Sequence, residues 1–255
     1  MEEVEVSTDV ETAVGTFVWH ENISNDPDQA KAFYTQLFGW EIEVFKPGEM
    51  DYSMIKSGGT THGGFMKPQE DIPPHWLGHL LVKDVDETIG QVEGAGGKIL
   101  FGPMDIPEVG RFGVIADPQG AAFSLFASAG DDGPQSGGVF VWDELHTSDV
   151  DGAKSFYGEV FGWTATDRDM GPMTYTIFER GEKQIAGCAP LQEGMPTPYW
   201  IPYIYSEDVK ATVAQAKELG ANVFMDAEEV PTVGWIAVLQ DPVGAVFGVF
   251  KPSGS

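Results

Sequence analysis

Cysteine is almost absent from this 255-residue chain: Cys188 stands alone, so no disulfide can form within it. Basic residues are scarce as well. Lys and Arg total 14 against 40 Asp and Glu, a formal net charge of −26. Such a surface repels phosphate backbones and anionic lipid, which argues against nucleic-acid and membrane partners. It fits a highly soluble protein, in a salt-rich setting if the self-repulsion is to be screened, or one that attracts a cationic ligand. No run of about 20 apolar residues exists, so no transmembrane helix is expected. The opening MEEVEVSTDVETA has no apolar core and does not read as a secretory signal. With the lone cysteine, these absences point to the cytoplasm. No G-x-G-x-x-G, P-loop or G-x-S-x-G is present, so nucleotide binding and serine hydrolysis have no support.

What the chain does have is a repeat. FVWHENISNDPDQAKAFYTQLFGW from Phe17 recurs as FVWDELHTSDVDGAKSFYGEVFGW from Phe140, 123 positions on, with 13 of 24 residues identical. GRFGVIADPQGAAFSLF from Gly110 recurs as GWIAVLQDPVGAVFGVF from Gly234, 124 positions on, with 8 of 17 identical. Pro74 and Trp76 match Pro198 and Trp200, and Asp84-Val85 matches Asp208-Val209. Two domains follow, 13–127 and 138–252, joined over 128–137 by a linker rich in Gly, Ser and Asp.

Within one copy, Phe17-Val18-Trp19 reads as a strand. Asp26 or Asp28 then caps a helix whose Ala30, Phe33, Tyr34, Leu37 and Phe38 recur at helical spacing, ending at Gly39. Short strands follow near 41–45, 52–56 and 63–66. The order then repeats: a strand at 77–82, a helix carrying Val85, Ile89 and Val92, and strands at 98–101, 112–116 and 122–126. The turns DPQG and DPVG precede the last strand of each copy. The chain is therefore an α+β protein of four βαβββ units.

Paired βαβββ units with A-K-x-F-Y-x-x-x-F-G-W and G-x-x-x-x-x-x-D-P-x-G-A-x-F resemble the vicinal oxygen chelate superfamily, which includes glyoxalase I, extradiol dioxygenases and bleomycin-resistance proteins. The run Trp142-Asp143-Glu144-Leu145-His146-Thr147-Ser148-Asp149 is similar to the start of its double-domain, glyoxalase-like members. The resemblance implies two tandem glyoxalase-like domains, each a half-open mixed β barrel with flanking helices and a ligand on its concave face. Metal-dependent relatives take His, Gln or Glu ligands from first and last strands. Those positions map here onto Trp19, Leu77, Trp142 and Ile201, and onto Gly64, Ser124, Gly187 and Gly248. None is a good divalent-metal ligand, so the resemblance implies chemistry without the usual metal and no cofactor is expected.

Other residues could carry chemistry. Glu21 and Glu144 occupy one position in the two copies, on the strand face of Trp19 and Trp142. Buried, such a carboxylate suits a general acid or base; exposed, it is a plain strand end. His79 and its counterpart Tyr203 could orient a ligand oxygen or simply line the sheet. Glu21, His62 and His79 form an alternative metal set for a shifted site. Trp19, Trp142, Trp76 and Trp200 could wall a pocket for a flat aromatic or cationic molecule, or pack the core. Trp40 and Trp163 read as packing. Arg111, matched by Trp235, could bind a ligand carboxylate or form a surface ion pair. Cys188 reads as an inert buried thiol. The expected function is an acid–base enzyme of isomerase, lyase or hydroxylase type in secondary metabolism or detoxification. The alternatives are a small-molecule sequestering protein of the bleomycin-resistance kind and a metal-dependent lyase or dioxygenase with shifted ligands. Two copies in one chain imply a monomer or weak homodimer.

Overall fold

A computed structural model describes residues 13–46, 51–130, 138–171, 173–192 and 197–254. The first copy runs β1 (Phe17–Ile23), α1 (Pro27–Phe38), β2 (Glu41–Phe45), β3 (Tyr52–Ser57), β4 (Thr60–Met66), β5 (His75–Leu81), α2 (Val85–Gly94), β6 (Lys98–Ile106), β7 (Gly110–Ala116) and β8 (Ala122–Ser128). The second repeats it with β9 (Phe140–Thr147), α3 (Val150–Phe161), β10 (Thr164–Asp169), β11 (Thr174–Arg180), β12 (Lys183–Pro190), β13 (Tyr199–Tyr205), α4 (Val209–Glu218), β14 (Asn222–Val230), β15 (Gly234–Gln240) and β16 (Val246–Pro252). Ser128 of the expected linker closes β8, and residues 131–137 lie outside the described residues.

Each helix starts where an aspartate can cap it. Asp26, Asp84, Asp149 and Asp208 accept from the backbone N–H three residues on, at 2.9–3.0 Å. Of the two cap candidates for α1, Asp26 is the one used. Gly39 and Gly162 end α1 and α3 in the left-handed region, at φ 68°, which a side chain there would disfavour.

Each copy contributes one open eight-stranded mixed sheet. The orders are β2-β3-β4-β1-β5-β8-β7-β6 and β10-β11-β12-β9-β13-β16-β15-β14. In both, the first and fourth strands of each βαβββ unit pair in parallel, and its second, third and fourth strands pair antiparallel in succession. Among the described residues no helix is long and apolar enough to cross a membrane.

Contacts group the chain differently from the sheets. Among the described residues, one compact unit comprises 13–19, 78–130, 143–171, 173–192 and 197–200; the other comprises 20–46, 51–77, 138–142 and 201–254. Each has its own core. In the first, Ile89, Phe123, Phe156, Tyr157, Trp163, Phe178 and Trp200 are buried together; in the second, Phe33, Tyr34, Trp40, Trp76, Phe140 and Phe247 are.

A polar link inside each core accounts for both repeated motifs. In the first unit, Asp117 of the DPQG turn accepts from the N–H groups of Gln119, Gly120 and Ala121 at 2.8–3.0 Å. Its second oxygen takes the hydroxyl of Tyr157 at 3.1 Å, and Tyr157 in turn accepts from the Trp200 indole at 3.1 Å. In the second unit Asp241 of DPVG serves Val243, Gly244 and Ala245 in the same way. Tyr34 donates to it at 3.0 Å and accepts from Trp76 at 2.8 Å, while Asn22 adds a donor at 3.2 Å. Burial pushes both aspartates above the usual carboxylate range against these hydrogen bonds.

Candidate active site

Strand β9 leaves the apolar Phe140 and carries Glu144 and His146 on one face, two residues apart. Both are buried, Glu144 at 9% exposure and His146 at 6%. They touch: His146 Nε2 lies 2.8 Å from Glu144 Oε1. From β11, the hydroxyl of Tyr175 donates to Glu144 Oε2 at 2.6 Å. Both carboxylate oxygens therefore have a defined partner, and the short phenol contact is of the charge-assisted kind. The ring of Tyr199, at the start of β13, stacks on His146 with centroids 4.9 Å apart and planes 9° from parallel. Burial, and then the charge of Glu144, push the Tyr199 phenol up to about 12, so it stays protonated. The adjacent strand β12 sets Gly187 beside Glu144. Its next residue, Cys188, is fully buried, with its thiol pushed up to about 12 mainly by burial.

The other compact unit holds the same tyrosine–glutamate couple. Glu21 on β1 is 7% exposed and accepts the Tyr52 hydroxyl from β3 at 2.6 Å. Gly64 of β4 pairs with Glu21 as Gly187 does with Glu144. A side chain at Gly64 would run into the Tyr52 hydroxyl, so the glycine makes room for the phenol. The position of His146 is taken by Ile23.

The remaining sequence candidates are distributed as follows. His79 and Tyr203 are buried, across from Ser124 and Gly248, and the Tyr203 ring covers Gly248 so closely that a β-carbon there would strike it. Trp19 and Trp142 are partly exposed. Trp76 and Trp200 sit in the two cores with their indole N–H groups bound to Tyr34 and Tyr157, so packing accounts for them. Trp40 and Trp163 are buried in the cores too. Arg111 is held by Asp86, at 2.7 and 3.0 Å, and by Asp105 at 2.8 Å. Two carboxylates of this chain thus take the guanidinium that was a candidate for a ligand carboxylate. In the second copy the cation moves to the helix, with Lys210 Nζ 3.9 Å above the Trp235 ring. His62 lies near the Ser57 carbonyl, at 3.3 Å.

The metal-ligand positions can be tested against the observed register. Gly64, Ser124, Gly187 and Gly248 face Glu21, His79, Glu144 and Tyr203, two residues beyond Trp19, Leu77, Trp142 and Ile201. Each pair offers at most one strong ligand, and at Gly64 and Gly248 a tyrosine fills the space a second would need. Among the described residues no three His, Cys, Asp or Glu side chains come together to hold a metal. The residues at these positions do not fit the divalent metal held by the metal-dependent relatives.

Sequence reasoning missed Tyr52, Tyr175 and the role of His146. A signal existed for the tyrosines, which recur 123 positions apart between the two aligned blocks. Nothing local shows that either reaches a glutamate, because the contact joins strands 31 residues apart.

Comparison with known proteins matches the repeat. The family model of the glyoxalase/bleomycin resistance protein/dioxygenase superfamily covers residues 18–125, and that of the glyoxalase-like domain covers residues 140–250. Over 250 residues the chain is 34% identical to CFP32 of Mycobacterium tuberculosis, whose name assigns it provisionally to the glyoxylases; the match spans 94% of this chain and 95% of that protein. It is 32% identical over 259 residues to the anthracycline biosynthesis protein DnrV of Streptomyces peucetius, across 94% of each. The Mn(II)-bound glyoxalase of Novosphingobium aromaticivorans superposes with a TM-score of 0.65 at 17% identity, covering 93% of this chain and 82% of that one. The 2,3-dioxygenase LapB of Pseudomonas sp. KL28 gives a TM-score of 0.64 at 12% identity, covering 93% of each. At these identities the likeness to solved structures is one of fold.

Proposed function

Because this chain belongs to the glyoxalase/bleomycin resistance protein/dioxygenase superfamily, we propose that it is a small-molecule enzyme working by acid–base chemistry on Glu21 and Glu144, without the superfamily's metal. The observation that carries this reading is the repeated tyrosine–glutamate couple, 2.6 Å in each copy. A buried carboxylate fixed by a phenol is oriented to take a proton from a bound molecule and return it at another atom, as an isomerase or lyase requires. His79 and Tyr203 serve as hydrogen-bonding groups that orient the substrate. The name of DnrV supports a role in the metabolism of aromatic natural products, and the net charge of −26 favours a substrate that is neutral or cationic.

The test begins with a tryptophan-fluorescence screen of aromatic and cationic small molecules, followed by turnover assays of the hits. Glu21→Gln and Glu144→Gln are then compared with wild type. In the working copy kcat should fall by roughly 100-fold or more. Unchanged turnover in both variants sinks the acid–base reading. Ligands that bind with no turnover at all favour a sequestering protein. Metal analysis of protein purified without chelators should give less than about a tenth of an equivalent; close to one equivalent refutes the metal-free part of the proposal.

A further inference from the structure

We propose that in the second copy His146, through Nδ1, is the proton acceptor, with Glu144 as the positioning residue; this rests on the acid–base reading above and deepens it by moving the proton-taking atom in this copy from the Glu144 carboxylate to the imidazole it holds. Glu144 Oε1 lies 2.8 Å from His146 Nε2. A carboxylate can only accept, so Nε2 carries the hydrogen, and a neutral ring held in this way has its lone pair on Nδ1. The Tyr175 hydroxyl secures the other carboxylate oxygen, and Tyr199 lies flat against the imidazole. The ring is thus fixed in tautomer and in plane, the arrangement by which an acid partner orients a catalytic histidine.

Nδ1 itself is buried and has no hydrogen-bond partner among the described residues, in a side chain 6% exposed. A buried polar atom left in that state is costly, and a small molecule that brings a donor removes the cost. The first copy has Ile23 in this place.

The ligand this site takes is a small molecule with a weakly acidic O–H, a phenol or an enol, the donor that an imidazole lone pair accepts from. Its O–H bond breaks, the proton forms a new bond to Nδ1, and the electron pair stays on the ligand as phenolate or enolate. The imidazolium charge is balanced by Glu144 through the Nε2–H bond. Return of the same proton to a carbon of the anion completes an isomerisation with no other reactant.

The probe is 4-nitrophenol, which is coloured as its anion, added to full-length protein with 15N-labelled histidine. The His146 signals are assigned by their loss in His146→Gln. Without probe, Nδ1 should resonate as an unprotonated ring nitrogen. With probe it should shift saturably, at the same midpoint as the colour of the bound anion. Glu144→Gln should lower the bound anion at least tenfold, and Tyr175→Phe, which keeps both charged groups, should lower it less. A protonated Nδ1 in the free protein, or a probe that fails to bind or binds without moving Nδ1, overturns the proposal. So does an Nδ1 already in a hydrogen-bonded position and unmoved by probe, the mark of a buried water. If Glu144→Gln abolishes turnover while Nδ1 ignores the probe, the acid–base reading survives and the role of His146 falls. If Nδ1 responds but turnover is indifferent to Glu144→Gln, His146 stays as the ligand's acceptor and the acid–base reading falls.

Discussion

Replacing Tyr157 by Phe removes one oxygen from a closed set of buried hydrogen bonds. That oxygen accepts from Trp200 and donates to Asp117, both at 3.1 Å. The indole N–H is left without its acceptor, and the second oxygen of Asp117 loses its donor. A stranded buried donor costs about 1–3 kcal/mol and a hydrogen bond to a charged group contributes about 1.5–3 kcal/mol, part of which is offset because the phenol need no longer be dehydrated. The expected loss is about 2–4 kcal/mol. Tyr34→Phe is the internal control: Trp76 loses its acceptor in the same way, but Asp241 keeps Asn22 at 3.2 Å. Its loss should be smaller by about 1 kcal/mol. Urea unfolding followed by far-UV circular dichroism measures both, provided the slope with denaturant is unchanged.

The pH dependence adds a second check. Burial raises the native pKa of Asp117, and Tyr157 is among the groups that lower it. The native state therefore holds the proton to higher pH than the unfolded chain, and stability falls as pH rises from about 3.9 through the native value. Removing the phenol moves that native value further up. The Tyr157→Phe deficit should grow as pH rises through the raised native pKa of Asp117 and shrink on acidification below it. A deficit below about 1 kcal/mol, one no larger than that of Tyr34→Phe, or one that grows on acidification would refute the reasoning.

Two further outcomes follow from the packing. Gly64→Ala should push the Tyr52 hydroxyl off Glu21, because the new methyl meets the far end of that side chain; it should reproduce Tyr52→Phe in ligand binding while costing about 1–3 kcal/mol or less in stability. Equal ligand affinity in wild type and Gly64→Ala contradicts this. Cys188, buried and with its thiol pushed up to about 12, should resist iodoacetamide at neutral pH until the chain is unfolded; mass spectrometry showing rapid alkylation of the native protein rejects that picture.

Much of this molecule is written in its sequence. The repeat gives the two sheets and their order of elements. Aspartates before apolar stretches of helical spacing mark all four helices, and alternation along β1 and β9 puts Glu21 and Glu144 on the faces of Trp19 and Trp142. These features were legible because they depend on residues a few positions apart, through caps, periodicity and turn chemistry. Long-range pairing was not. Each copy contains both a core tyrosine and a DPxG aspartate, and no local rule says which tyrosine meets which aspartate. Tyr34 of the first copy meets Asp241 of the second, and Tyr157 of the second meets Asp117 of the first. Likewise Tyr175 reaches Glu144 across neighbouring strands, and Trp76 and Trp200 turn from candidate pocket walls into core donors. Such choices rest on which buried polar groups can satisfy one another once the chain is packed, a condition imposed by the whole fold and carried by no single stretch of it.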